Sequence, residues 1–136
     1  MSAARELRFA FVVDDYEGTV RLFRDALGLE LIEEFDQQEG RGALLGIPTA
    51  TLEIFDGAHG DWVDRIETGR MLGERVRIAV LVDRLDEASS AIRDGGAEVV
   101  AEPVDTPWGD RNQRFAIPGA MQLTLFERPV HDRTTD

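Results

Sequence analysis

Residues 76–83 read Val-Arg-Ile-Ala-Val-Leu-Val-Asp, and residues 7–14 read Leu-Arg-Phe-Ala-Phe-Val-Val-Asp. Both runs are rich in β-branched and aromatic side chains and read as strands. Each is followed by helical spacing, over residues 15–27 and 84–94. Tyr16, Val20, Phe23 and Leu27 fall on one face of the first helix, and Leu85, Ala88 and Ile92 on one face of the second. Asp14 and Asp83 are placed to cap these helices, because a short carboxylate can accept the orphan N–H groups of a first turn. Glycines 28 and 96 stop the helices, and strands follow at 28–34 and 96–102.

Third strands are expected at 42–47 and 111–117, and closing strands at 52–56 and 123–127. Matched blocks thus recur in the same order about 70 residues apart. The expected fold is α+β: two tandem β-α-β-β-β modules forming a cupped, barrel-like mixed sheet with helices outside. Residues 1–136 form one domain on this reading, with module one at about 6–56, a linker at 57–75, module two at about 76–127 and a tail at 128–136. Trp62, Ile66 and Arg70 at intervals of four predict a short helix in the linker. Neither module buries a full face alone, so each needs the other or a partner.

Composition removes many functions. The net charge is −12, from 27 acidic and 15 basic residues, which disfavours a polyanion such as nucleic acid as partner. Every basic residue is Arg, so lysine chemistry is excluded, and without Cys so are thiolate catalysis and thiolate metal sites. The three Ser residues lie outside any nucleophile-elbow pattern. His occurs only at 59 and 131. No apolar run approaches the length of a membrane span. The opening Met-Ser-Ala-Ala-Arg-Glu leads into a strand-like run without a signal-peptide core, so a cytoplasmic protein is expected.

The stretch "VVDDYEGTVRLFRDALGL", the loop and strand "PWGDRNQRF" and the closing "IPGAMQLTLFE", set in a duplicated order, resemble the vicinal oxygen chelate family of glyoxalases, bleomycin-resistance proteins and dioxygenases. The resemblance spans about residues 6–127 and is nearest to the bleomycin-resistance-like branch. It implies a cupped sheet around a ligand cavity and a homodimer. Metal-dependent members draw ligands from the first and last strand of each module, at positions that fall here on Arg8, Glu53, Arg77 and Thr124. Of these only Glu53 is a metal donor of any strength, since a guanidinium has no lone pair to offer and a Thr hydroxyl is a poor ligand. No metal and no cofactor are therefore expected.

Alternation along the strands turns Arg8, Arg77, Ala79 and Leu81 toward the cup, with Ile78, Val80 and Val82 beneath the helix. Leu123 and Leu125 take the core face, opposite Thr124. Arg8 and Arg77 are candidates to clamp a carboxylate, phosphate or enolate, because the planar fork matches such groups. The competing reading pairs Arg8 with Glu53 as a structural ion pair. Trp108, between Pro107 and Gly109, is either a stacking residue or a turn aromatic covering the core edge, and Phe115 is cavity wall or core. Trp62 is assigned to packing of the linker helix. The acidic balance suits a cationic aromatic ligand, as in the antibiotic-sequestering members the resemblance brings with it, whereas arginines inside the cup oppose a cationic centre.

Three functional readings follow. The first is a metal-free small-molecule binder, for drug or metabolite sequestration, using Arg8, Glu53, Arg77, Trp108, Phe115 and Thr124. The second is a lyase, isomerase or dioxygenase-like enzyme with Glu53 as base or as part of an atypical metal site. The third is an interaction domain with a filled cup.

Overall fold

A computed structural model describes residues 8–9, 13–38, 40–46, 49–50, 53 and 56–129. Most of the expected opening strand at 7–14, most of the closing strand at 52–56, and His131 lie outside these residues. Helix α1 runs Tyr16–Arg21 and continues without a break as a π-helical turn, Leu22–Ala26. Strands β1 (Glu30–Gln37) and β2 (Gly40–Gly46) pair antiparallel. Helix α2 (Gly57–Thr68) occupies the linker, where a short helix was expected. The second module supplies β3 (Arg77–Leu81), α3 (Leu85–Asp94), two-residue strands β4 (Glu98–Val99) and β5 (Val104–Asp105), then β6 (Arg111–Ile117) and β7 (Met121–Glu127). The architecture is α+β. Among the described residues the strands form two sheets, one of β1 and β2 and one ordered β3-β7-β6-β4 with β5 also on β6.

The second module follows the expected order, with β3 parallel to β7 and β6 antiparallel to it. The expected strand at 96–102 shrinks to two residues. The cause is local: the N–H groups of Val100 and Ala101 both reach the Arg114 carbonyl, at 3.0 and 3.3 Å, which breaks the ladder. Pro103 follows with no N–H to donate, and pairing resumes only at β5. At the β6–β7 hairpin, Ala120 N–H closes on the Ile117 carbonyl across Pro118 and Gly119, and Gly119 takes the left-handed φ of 71° that this turn needs.

The helices correct the sequence reading in two respects. Of the stripe Tyr16, Val20, Phe23 and Leu27 in the first helix, Phe23 is buried and Leu27 packs at the border of the core, while Leu22, outside the stripe, is buried as well. Widening into a π-turn, with Leu27 N–H bonded to the Leu22 carbonyl at 3.0 Å, lets the adjacent residues Leu22 and Phe23 both enter the core. The caps also differ. Asp15, not Asp14, accepts the Gly18 N–H, at 3.0 Å. The cap position of α3 falls on Arg84, one residue after Asp83, and its side chain makes no capping hydrogen bond. The Leu85 N–H is satisfied instead by Glu127 Oε1 from β7, at 2.8 Å. A carboxylate at a helix N-terminus also meets the positive end of the helix dipole. Replacing Glu127 with Ala should lower unfolding free energy by about 1 kcal/mol in urea denaturation, with E127Q losing less.

The core lies between α1, its π-turn and α3 on one side and the inner sheet face on the other. Leu22, Phe23, Leu85, Ile92, Ala97, Phe115, Ile117, Leu123 and Leu125 form it, with Ile78, Val80 and Val82 packed at its border. The face assignments of β3 and β7 thus hold.

Candidate functional site

Strand alternation sends the other side chains of this sheet to the opposite face. Register sets Arg77 beside Gln122, Ala79 beside Thr124, and Thr124 beside Arg114. Asn112 shares that face two residues before Arg114. Helix α2 lies over it, burying Val63, Asp64 and Glu67. Its start is fixed by Asp56, which accepts the His59 N–H, and its end by Gly69 with φ 80°.

The side chains meet in a buried polar cluster. Arg114 is 0 % exposed, Thr124 1 % and Glu67 2 %. Glu67 Oε1 accepts from Arg114 Nε at 2.9 Å and from Thr124 Oγ1 at 2.7 Å. Its other oxygen, Oε2, accepts from Asn112 Nδ2 at 3.0 Å. Arg77 Nη1 donates to Thr124 Oγ1 at 3.0 Å, and Arg114 Nη1 to Gln122 Oε1 at 2.7 Å. Arg114 Nη2 sits 3.1 Å from Asp64 Oδ1, near enough for charge attraction but not aligned as a hydrogen bond. Asn112 Oδ1 is buried with no hydrogen-bond partner among the described residues.

Burial pushes the Arg77 guanidinium below its usual range; Glu67 opposes this most, Arg114 adds to it, and Glu53 and Asp64 pull back up. It stays a cation at any accessible pH. The same balance shows that Glu53, itself exposed, is close enough for its charge to be felt at Arg77.

The structure therefore brings Arg77 and Thr124 together within reach of the Glu53 charge, while Arg8 is an exposed residue at the edge of the described chain. Phe115 is 0 % exposed on the opposite face, so of its two expected places it takes the core. Trp108 is 42 % exposed on the turn before β6, its ring 5.4 Å from that of Trp62 on α2, and the His59 ring lies at the same distance from Trp62, tilted by 53°. Trp62, assigned to packing of the linker helix, lies on that helix and packs against Trp108 and His59. Sequence reading missed Arg114, Glu67, Asn112 and Gln122. For Arg114 the signal was present: on β6 it alternates with the core residues Phe115 and Ile117, which puts it on the same face as Asn112. Glu67 gave none, because a carboxylate on a short linker helix reads as solvated.

This donor set does not suit a divalent cation. Two guanidinium groups would repel it, and the one central carboxylate already has its oxygens committed to three donors. Among the described residues no three His, Asp or Glu side chains are grouped to hold a metal ion. A groove of about 420 Å³ also occurs, between the π-turn and α3, lined by Arg21, Asp25 and Asp94 among others. It lies on the helix side of the sheet, away from the polar cluster, and no buried polar side chain lines it. The converging buried groups, not that groove, define the candidate site.

Residues 7–125 match the family model for the Glyoxalase/Bleomycin resistance protein/Dioxygenase superfamily. The chain belongs to that superfamily. No curated protein matches it. Among solved structures it is similar to TnmS3, an antibiotic-binding protein from Streptomyces sp. CB03234, with a TM-score of 0.60 and 19 % identity over 95 % of this chain and 99 % of that one. It is likewise similar to hypothetical protein SA1046 from S. aureus, with a TM-score of 0.60 and 19 % identity over 93 % and 95 % of the two chains. A superfamily member from Sphaerobacter thermophilus reaches 26 % identity and a TM-score of 0.53 over 86 % of this chain and 91 % of its own. No helix among the described residues is long and apolar enough to cross a membrane.

Proposed function

We propose that this chain is a small-molecule-binding member of its superfamily that holds its ligand without a metal, in a drug- or metabolite-sequestering role. The observation that carries this reading is the replacement of metal donors by Arg77 and Thr124, joined by Arg114, on one sheltered sheet face. Guanidinium groups on a half-dry surface bind oxyanions by charge-assisted, often bidentate, hydrogen bonds. Trp108, on the turn before β6, supplies an exposed indole face at the rim for an aromatic portion of the ligand. Glu53 and Arg8 belong to the same proposed site as outer polar groups. TnmS3, which has a similar fold, is an antibiotic-binding protein, and this supports a binding role.

The ligand class follows from the charges: an oxyanion on an aromatic or apolar body, rather than a cation, despite the overall charge of −12. The overall charge acts at long range and is screened within about 10 Å at ordinary salt, whereas the guanidinium groups act at contact. Calorimetry with phenyl phosphate and benzoate tests this. Wild-type protein should bind at least one of them, and Arg77→Met should weaken that binding about 10- to 100-fold, the worth of one charge-assisted bond. Unchanged affinity in R77M would remove Arg77 from the site.

A homodimer is part of the proposal. Among the described residues β3 pairs only with β7 and so forms an edge of its sheet, and its exposed Leu81, with neighbouring Val76, is apolar. Sedimentation analysis should find twice the chain mass of 15.2 kDa.

A second reading has its own observation behind it. Glu67 already fills the polar face, as it would in a domain whose cup is permanently closed. The calorimetry separates the two, since a closed domain binds neither probe.

A further inference from the structure

Helix α2 is attached to the sheet in an unusual way. Two of its three buried residues are acids, and Val63 lies outside the main apolar cluster. Its hold on β6 and β7 therefore depends heavily on polar contacts. Such contacts differ from apolar burial in one respect: another group of the same charge and geometry can replace them. The fit to Glu67 is also incomplete. Among the described residues, Arg114 Nη2 and Asn112 Oδ1 are each buried without a hydrogen bond, and buried polar groups are normally satisfied.

We infer that Glu67 is a built-in competitor for the ligand: its carboxylate holds the place of an acidic group, and α2 leaves the sheet when a ligand oxyanion takes Arg77, Arg114 and Thr124. The inference rests on the binding function proposed above and adds its regulation. Asp64 and Glu67 balance the charges of Arg77 and Arg114. Once α2 withdraws with both acids, the face carries the two positive charges of Arg77 and Arg114 and the freed donors of Arg114, Asn112 and Thr124. That is the charge and donor supply an incoming carboxylate or phosphate needs. Ala79 and Ala116, small side chains beside Thr124 and Gln122 on the same face, leave room for the body of the ligand. Occupancy of the face by α2 keeps it from weak or wrongly shaped anions. A ligand must out-compete a carboxylate held by three hydrogen bonds, so affinity is lowered for all anions, and only those with further contacts offset the loss.

The molecule contains its own reporter. Its two tryptophans are Trp62, on α2, and Trp108, on the turn before β6, with ring centroids 5.4 Å apart and planes inclined by 56°. Two indoles so close couple in circular dichroism, and the coupled signal vanishes if α2 moves away. The test is a titration of the full-length wild-type chain and of E67Q with phenyl phosphate, followed by calorimetry and by circular dichroism. W62F identifies the coupled signal by lacking it. Expected is loss of the signal as the wild-type protein saturates, and binding at least tenfold tighter in E67Q, where the competing charge is gone. Binding by E67Q alone would equally support the inference. If wild-type protein binds with the coupled signal intact, or E67Q binds within twofold of wild type, Glu67 is no competitor, although the face remains a binding site. Failure of both proteins to bind overturns this inference and the binding function together. Should E67Q not fold, the wild-type signal alone decides.

Discussion

Replacing Arg114 with Met should lower the unfolding free energy by about 3–5 kcal/mol, read by urea denaturation at neutral pH. The reason is the company this side chain keeps. It is wholly buried, donates to Glu67 and Gln122, and lies 3.1 Å from Asp64. A methionine fills similar volume but leaves two buried carboxylates facing an apolar group. The penalty is that of an uncompensated buried charge, not the net worth of an ion pair, which is often near zero. The double variant R114M/E67Q should therefore recover much of the loss, because it also removes one of the stranded charges. A loss below about 1 kcal/mol in R114M would mean that water reaches the cluster and that the face is not sheltered.

Replacing Phe115 with Ala should be equally damaging, by about 3–5 kcal/mol, for a different reason. Phe115 follows Arg114 directly in sequence but points to the opposite face, where it is fully buried among Leu123, Leu125 and Ile92. Its truncation leaves a cavity under α3. The two adjacent substitutions should separate in binding: F115A keeps affinity for phenyl phosphate under conditions where it is folded, while R114M loses it. Equal loss of affinity in both would place the ligand on the helix side of the sheet.

The strand order of the second module was legible because its faces are chemically distinct. Ile78, Val80, Leu123 and Leu125 announce a buried face, and the alternate positions announce the other. β6 runs over residues 111–117 as expected, bounded by Gly109 and Pro118. What the sequence hid depended on contacts between distant residues. The cap of α3 comes from Glu127, 42 residues on from the N–H it accepts, while the nearby Asp83 was the local candidate. The widening of the first helix follows from packing Leu22 and Phe23 together against the sheet, a tertiary demand that no stripe of side chains encodes. The site was half visible. Arg77 and Thr124 were singled out by the family resemblance and given their face by alternation, but their partner Glu67 sits on a linker helix whose acids look like solvent-facing residues until the helix is laid on the sheet.

The central claim is that arginines, not a divalent metal, make the binding face. Calorimetric titration of phenyl phosphate into protein treated with EDTA, repeated after adding zinc, nickel or manganese, tests it most directly. The account predicts binding in EDTA with an affinity that none of the metals improves and that Arg77→Met weakens about 10- to 100-fold. Binding that appears only with a metal, at one ion per chain, would contradict it.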